Sequence, residues 1–129
     1  MNENETEVIV DHETISSASE EDQIFANLRL KLAEIKKHEG VVGYILKNAT
    51  SAIIDLKDTT NLVEYAILSY QALDSSEEIS KLFSLGDVEN VLIEGKDIKA
   101  LCVAMGENKV GIFMEKSADH ADVLSRVSQ

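Results

Sequence analysis

Apolar and polar residues recur in two registers along this chain, and each change of register marks an element. Between Glu20 and His38, Ile24, Phe25, Leu28, Leu32 and Ile35 form one stripe, with Lys31, Lys36 and Lys37 lying away from it. That three-and-four spacing predicts an amphipathic helix, with Ser19 and Asp22 as a capping pair and Gly40 as its stop. Val41 to Leu46 then reads as a buried strand, Asn48-Ala49-Thr50-Ser51 as a turn, and Ala52 to Leu56 as a returning strand, a short antiparallel hairpin. Asp58, Thr59, Thr60 and Asn61 are cap-type residues ahead of a long helix predicted to run from Leu62 to Leu85, with Asn61 and Glu64 as a capping box and Gly86 as its end. Three strands follow, Val88 to Glu94, Ile98 to Met105 and Val110 to Met114, separated by turns at Gly95 and Gly106. Ser117 can cap a final helix from Ala118 to Val127. The order is α-β-β-α-β-β-β-α: a hairpin and a meander sharing one antiparallel sheet, with helices over its faces, in an α/β (α+β) domain.

The middle helix carries more apolar surface than one packing face needs. In Leu62–Leu73, nine of twelve residues are apolar and Glu64 alone is charged. Sorted by helical direction, Leu62, Val63, Ala66, Ile67, Tyr70 and Leu73 share one broad arc. Tyr65, Leu68 and Ala72 share a second, and Glu64 and Gln71 lie in the strip between. A surface helix buries a single stripe. Only the second arc continues through Ile79 and Phe83, whereas the first becomes Asp74, Glu77 and Lys81. The second arc is therefore expected to pack on the domain's own core. The first is left, over the first half of the helix, for another surface, with Tyr65 in the core and Tyr70 at that surface.

Length and charge sharpen this picture. The 129 residues support one domain with a workable core. Residues 1–22 hold eight acidic side chains and no Lys or Arg, and the formal net charge of the whole chain is −12. Residues 1–19 read as a disordered acidic arm and 20–129 as the folded domain; the arm's apolar patch, Val8-Ile9-Val10, could add a strand or dock on a partner. With no basic patch, binding to nucleic acid or to an anionic membrane surface is disfavoured. No apolar run approaches the roughly 18 residues of a membrane-spanning helix, and the N-terminus lacks the pattern of a signal peptide. A lone Cys102 offers no disulfide framework, which suits a reducing cytoplasm.

This order, with these lengths, resembles the roadblock/LC7 family (dynein light-chain-like domains) over about residues 20–127. The strand GVVGYIL at Gly40–Leu46, the polar-capped helix Thr59–Leu85 and the compact meander Asp87–Glu115 carry the resemblance. Many members have an Asp-Gly type turn where this chain has Asn48-Ala49-Thr50, although Asn48 could adopt the left-handed conformation. The resemblance implies a five-stranded sheet in the order 2-1-5-4-3, counted from the Val41 strand. It places the first and last helices on one face and the middle helix on the other. It also implies a homodimer, formed by pairing the middle helix and the third strand across a two-fold axis. The expected interface is then Leu62, Val63, Ala66, Ile67, Tyr70 and Leu73, with Val91 and Leu92. Prokaryotic relatives look like non-catalytic regulators of small Ras-like GTPases, and eukaryotic ones like dynein light chains or GTPase scaffolds. A free-standing domain with its own acidic arm is more similar to the prokaryotic kind.

Catalytic chemistry finds little support. His12, His38 and His120 have no spacing suited to a metal and no cysteine pair beside them. Cys102, between Leu101 and Val103, reads as a buried structural thiol, and no glycine loop of the phosphate-binding kind occurs. No enzyme, cofactor or metal is expected. The competing expectation is a monomeric sensor domain of PAS or profilin type, with a small-ligand cavity lined by Tyr44, Ile45 and Cys102.

Overall fold

The structure, a computed structural model, describes residues 6–11, 20–57 and 62–129. Its elements are β1 (Thr6–Asp11), α1 (Glu20–Lys36), β2 (Val41–Lys47), β3 (Ser51–Leu56), α2 (Leu62–Leu82), β4 (Asn90–Glu94), β5 (Ile98–Met105), β6 (Asn108–Glu115) and α3 (His120–Val127). The sheet runs β1-β3-β2-β6-β5-β4, and every neighbouring pair is antiparallel. From β3 to β4 this is the five-strand order 2-1-5-4-3 expected from the sequence. The sixth strand is a correction: Thr6–Asp11, within the stretch expected to be disordered, pair along β3 with Val8 opposite Ile54 and Val10 opposite Ala52. The apolar triad has thus taken the first of its two expected courses, that of an added strand.

Strand alternation divides the core in two. On the face covered by α1 and α3, Leu28, Leu32 and Ile35 pack with Tyr44, Leu46, Ile53, Leu101, Val110, Ile112 and Met114, closed by Val123 and Val127. On the opposite face Ile45, Leu56 and Phe113 form a smaller cluster with Val42, Ile54, Tyr70, Ile98 and Ala100. Gly43 lets β2 and β3 approach closely: a Cβ there would lie 2.4 Å from the Asp55 carbonyl oxygen and 2.7 Å from the Leu56 Cα. A buried ion pair ties α1 to β3, with Lys36 Nζ 2.5 Å from Asp55 Oδ1.

Three local devices differ from the sequence reading. Asn48 is not left-handed; its carboxamide oxygen accepts from the Thr50 and Ser51 amides at 2.9 and 2.7 Å, so the side chain closes the turn that Asp-Gly would otherwise shape. The long helix stops at Leu82, because Ser84 takes a left-handed φ of 54°. The Leu85 amide then reaches the Ser80 carbonyl (2.9 Å) and the Ser84 amide the Lys81 carbonyl (3.3 Å), a Schellman ending built on serine. The last helix is capped by Asp119, whose carboxylate accepts from the Asp122 amide at 3.0 Å, two residues beyond the expected Ser117.

Candidate functional site

The rotation of α2 decides which of its faces is free. Leu73 is 1% exposed, and Ser80, two turns further on, is also buried, so this line of the helix meets the sheet. Ile79 and Phe83, expected in the core, are 53% and 71% exposed. The expectation for the second arc is overturned in this half of the helix. The reason lies across the interface. β5 presents Ala100, Cys102 and Ala104 towards α2, a strip of small residues against which Ser80 and Ser76 fit better than Ile79 and Phe83 would.

The expected interface residues consequently separate. Leu73 belongs to the interior of the protomer and is not available to a partner. Tyr70 is half-buried against the Ile45–Leu56–Phe113 cluster, and the Lys47 ammonium stands 4.6 Å from its ring centroid. Leu92 is half-buried towards the α1/α3 core, whereas Val91, opposite Cys102, faces α2. The side chains of Leu62, Val63, Ala66 and Ile67, like that of Tyr65, lie outside the described residues.

A different part of the same flank is exposed and apolar. Of the seven large hydrophobic side chains exposed among the described residues, five (Ile79, Leu82, Phe83, Leu85 and Ile93) lie at the C-terminal end of α2 or on β4, so the exposure is concentrated rather than scattered. Ile79, Leu85, Val88 and Val91 line an open groove of about 590 Å³, with polar Ser76, Ser80, Asp87, Glu89 and Asn90 around them. Beside it, β4 is the terminal strand of the sheet, and its outer edge is unpaired among the described residues. The groove and the exposed Phe83 thus lie at the same end of α2 as the open strand edge. The sequence did carry this signal, in the spacing of Ile79, Phe83 and Ile93, but only the helix rotation shows that it faces outward.

Burial withdraws water from the Tyr70 phenol and pushes its pKa up to about 12. In the unfolded chain a tyrosine ionises near 10. The folded state therefore resists ionisation, and stability is lost as pH rises from about 10 towards 12. An alkaline absorbance titration of the native protein, minus that of Tyr70→Phe, should show the Tyr70 step near 12; a step near 10 would mean an accessible phenol.

The residues considered for chemistry do not converge. Among the described residues no three His, Cys, Asp or Glu side chains are grouped to hold a metal ion. His120 Nδ1 lies 2.9 Å from Lys99 Nζ, Cys102 is fully buried, and His12 lies outside the described residues. Tyr44, Ile45 and Cys102, the expected lining of a ligand cavity, are closed into the interior, with Tyr44 and Ile45 in opposite core clusters. Among the described residues no helix is long and apolar enough to cross a membrane.

No family model matches the sequence, and no curated protein matches it either. Solved structures do match the fold. A roadblock/LC7 domain from Streptomyces avermitilis is similar with a TM-score of 0.61 and 13% identity, over 83% of this chain and 88% of that one. Myxococcus xanthus MglB is similar with a TM-score of 0.64 and 14% identity, over 88% of this chain and 86% of its own. The chain thus has the roadblock/LC7 fold.

Proposed function

We propose that this chain, with its roadblock/LC7 fold, is a non-catalytic homodimeric regulator or scaffold that binds a small Ras-like GTPase in the cytoplasm. The observation that carries the dimer is the concentration of exposed apolar side chains at the end of α2 and on β4, where Ile79, Phe83 and Ile93 stand exposed near the outer edge of β4. A two-fold axis along that edge would set one β4 against its copy and cover the groove of each protomer with the other's helix end. In this reading Val91 lies at the margin of the interface, and Leu73 supports α2 from inside the protomer. The GTPase rests on the family likeness of the sequence pattern and on the similarity to MglB.

Light scattering on the purified protein across a dilution series tests the assembly, with a mass of two chains expected. Calorimetric titration of that dimer with small Ras-like GTPases, loaded with GDP or with a non-hydrolysable GTP analogue, tests the partner. Saturable binding that distinguishes the two nucleotide states is expected; a monomer at high concentration, or no binding in either state, would sink the corresponding half of the proposal.

A further inference from the structure

We infer that the outer edge of β3 is a second self-association surface, which Thr6–Asp11 mask in cis against another copy of the chain. β3 reads Ser-Ala-Ile-Ile-Asp-Leu from Ser51 to Leu56, and four of its six residues are apolar. One edge is paired with β2, and the other would be open without β1. The strand that covers it carries the only apolar triad of the acidic arm, in register: Val8 opposite Ile54, Ile9 opposite Ile53, Val10 opposite Ala52. Uncovered, such a strand is a template for pairing with another chain.

A second β3 fits this edge better than an arbitrary peptide. An antiparallel pairing about a two-fold axis at Ile53 sets this residue opposite its own copy, because residues that stand opposite each other lie on the same face of the sheet. It also puts Ala52 opposite Ile54 and Ser51 opposite Asp55. No Asp55 then faces its own copy, so the pairing avoids the like-charge contact that would oppose it. The patch is self-complementary, as a two-fold contact requires.

A consequence rests on the dimer proposed above. Assembly through α2 and β4 uses the opposite end of the sheet. A protomer with two isologous surfaces, one at each end, would continue into an open chain of molecules. β1 closes one end, and assembly stops at two.

The test is made in the full-length chain. Val8→Pro with Ile9→Pro removes two successive amides. Because neighbouring amides in a strand point to opposite sides, one of the two faces β3, and the pairing is lost. In the wild-type background this double variant should exceed the mass of two chains and grow with concentration. In a Phe83→Glu background it should rise from one chain to two, whatever the fate of the α2–β4 dimer, so the two readings fail separately. Hydrogen exchange distinguishes pairing from misfolding: β3 amides should gain protection with concentration while β2, β5 and β6 keep theirs. Unchanged mass in both backgrounds would overturn the inference, and so would growth accompanied by loss of protection throughout the sheet.

Discussion

Replacing Phe83 with Glu is expected to convert a dimer of this chain into a monomer without unfolding it. Phe83 is 71% exposed in the protomer, so the substitution removes little from the protomer's own packing. Surface changes of this kind usually alter stability by no more than about 0.5 kcal/mol. In a two-fold interface the same position is lost twice. A central aromatic contributes about 2 kcal/mol or more to such a contact, and two copies give about 4 kcal/mol, a weakening of roughly a thousandfold. Desolvating the introduced carboxylates adds to that. The check pairs light scattering, for mass, with a urea unfolding curve of the monomeric variant, for stability. A variant that still dimerises with unchanged affinity would remove the α2–β4 flank from the interface. Leu73→Glu is a contrasting change, since Leu73 lies beneath the helix, and its first effect should be on folding.

That contrast marks the boundary between what sequence and structure each make visible. The strand order was legible because each strand of the hairpin and meander has its own apolar run, closed by a turn residue. Topology then follows from short connections, and the sheet from β3 to β4 matches the expected order. The rotation of α2 was not legible. Its two apolar arcs are of similar size, and periodicity within the helix cannot choose between them. The choice is made by small residues elsewhere in the chain, Ala100, Cys102 and Ala104, which accept Ser76 and Ser80 rather than Ile79 and Phe83. A tertiary term thus outweighs a local pattern. The arm fails for a related reason. Three apolar residues in an acidic stretch are too few to specify a strand alone, but they suffice where an open apolar edge is already built. Of the interface residues chosen from the sequence, Leu73 lies on the buried side of the helix, inside the protomer.

The other large effect is expected at the joint between α1 and β3. Lys36 and Asp55 are buried together, with side-chain exposures of 7% and 12%, and their charged atoms lie 2.5 Å apart. Neither charge is favourable in the interior by itself, because desolvation costs each several kcal/mol and their attraction offsets that cost only while both are present. Asp55→Ala takes the carboxylate from a Lys36 ammonium that the packing of α1 on the sheet keeps from water. The expected loss is about 3–5 kcal/mol, a large part of the 5–15 kcal/mol that typically separates folded from unfolded states. Replacing both residues with apolar ones of similar volume, Lys36→Met with Asp55→Leu, should recover most of the loss, to within about 1 kcal/mol of the parent. Urea unfolding of the parent, the two single variants and the double variant completes the cycle. A double variant as unstable as the sum of the singles would show that these side chains act separately, through other contacts. Recovery would show that the ion pair's net contribution is small. Its role is then to hold the end of α1 in register with β3, next to the edge on which β1 lies.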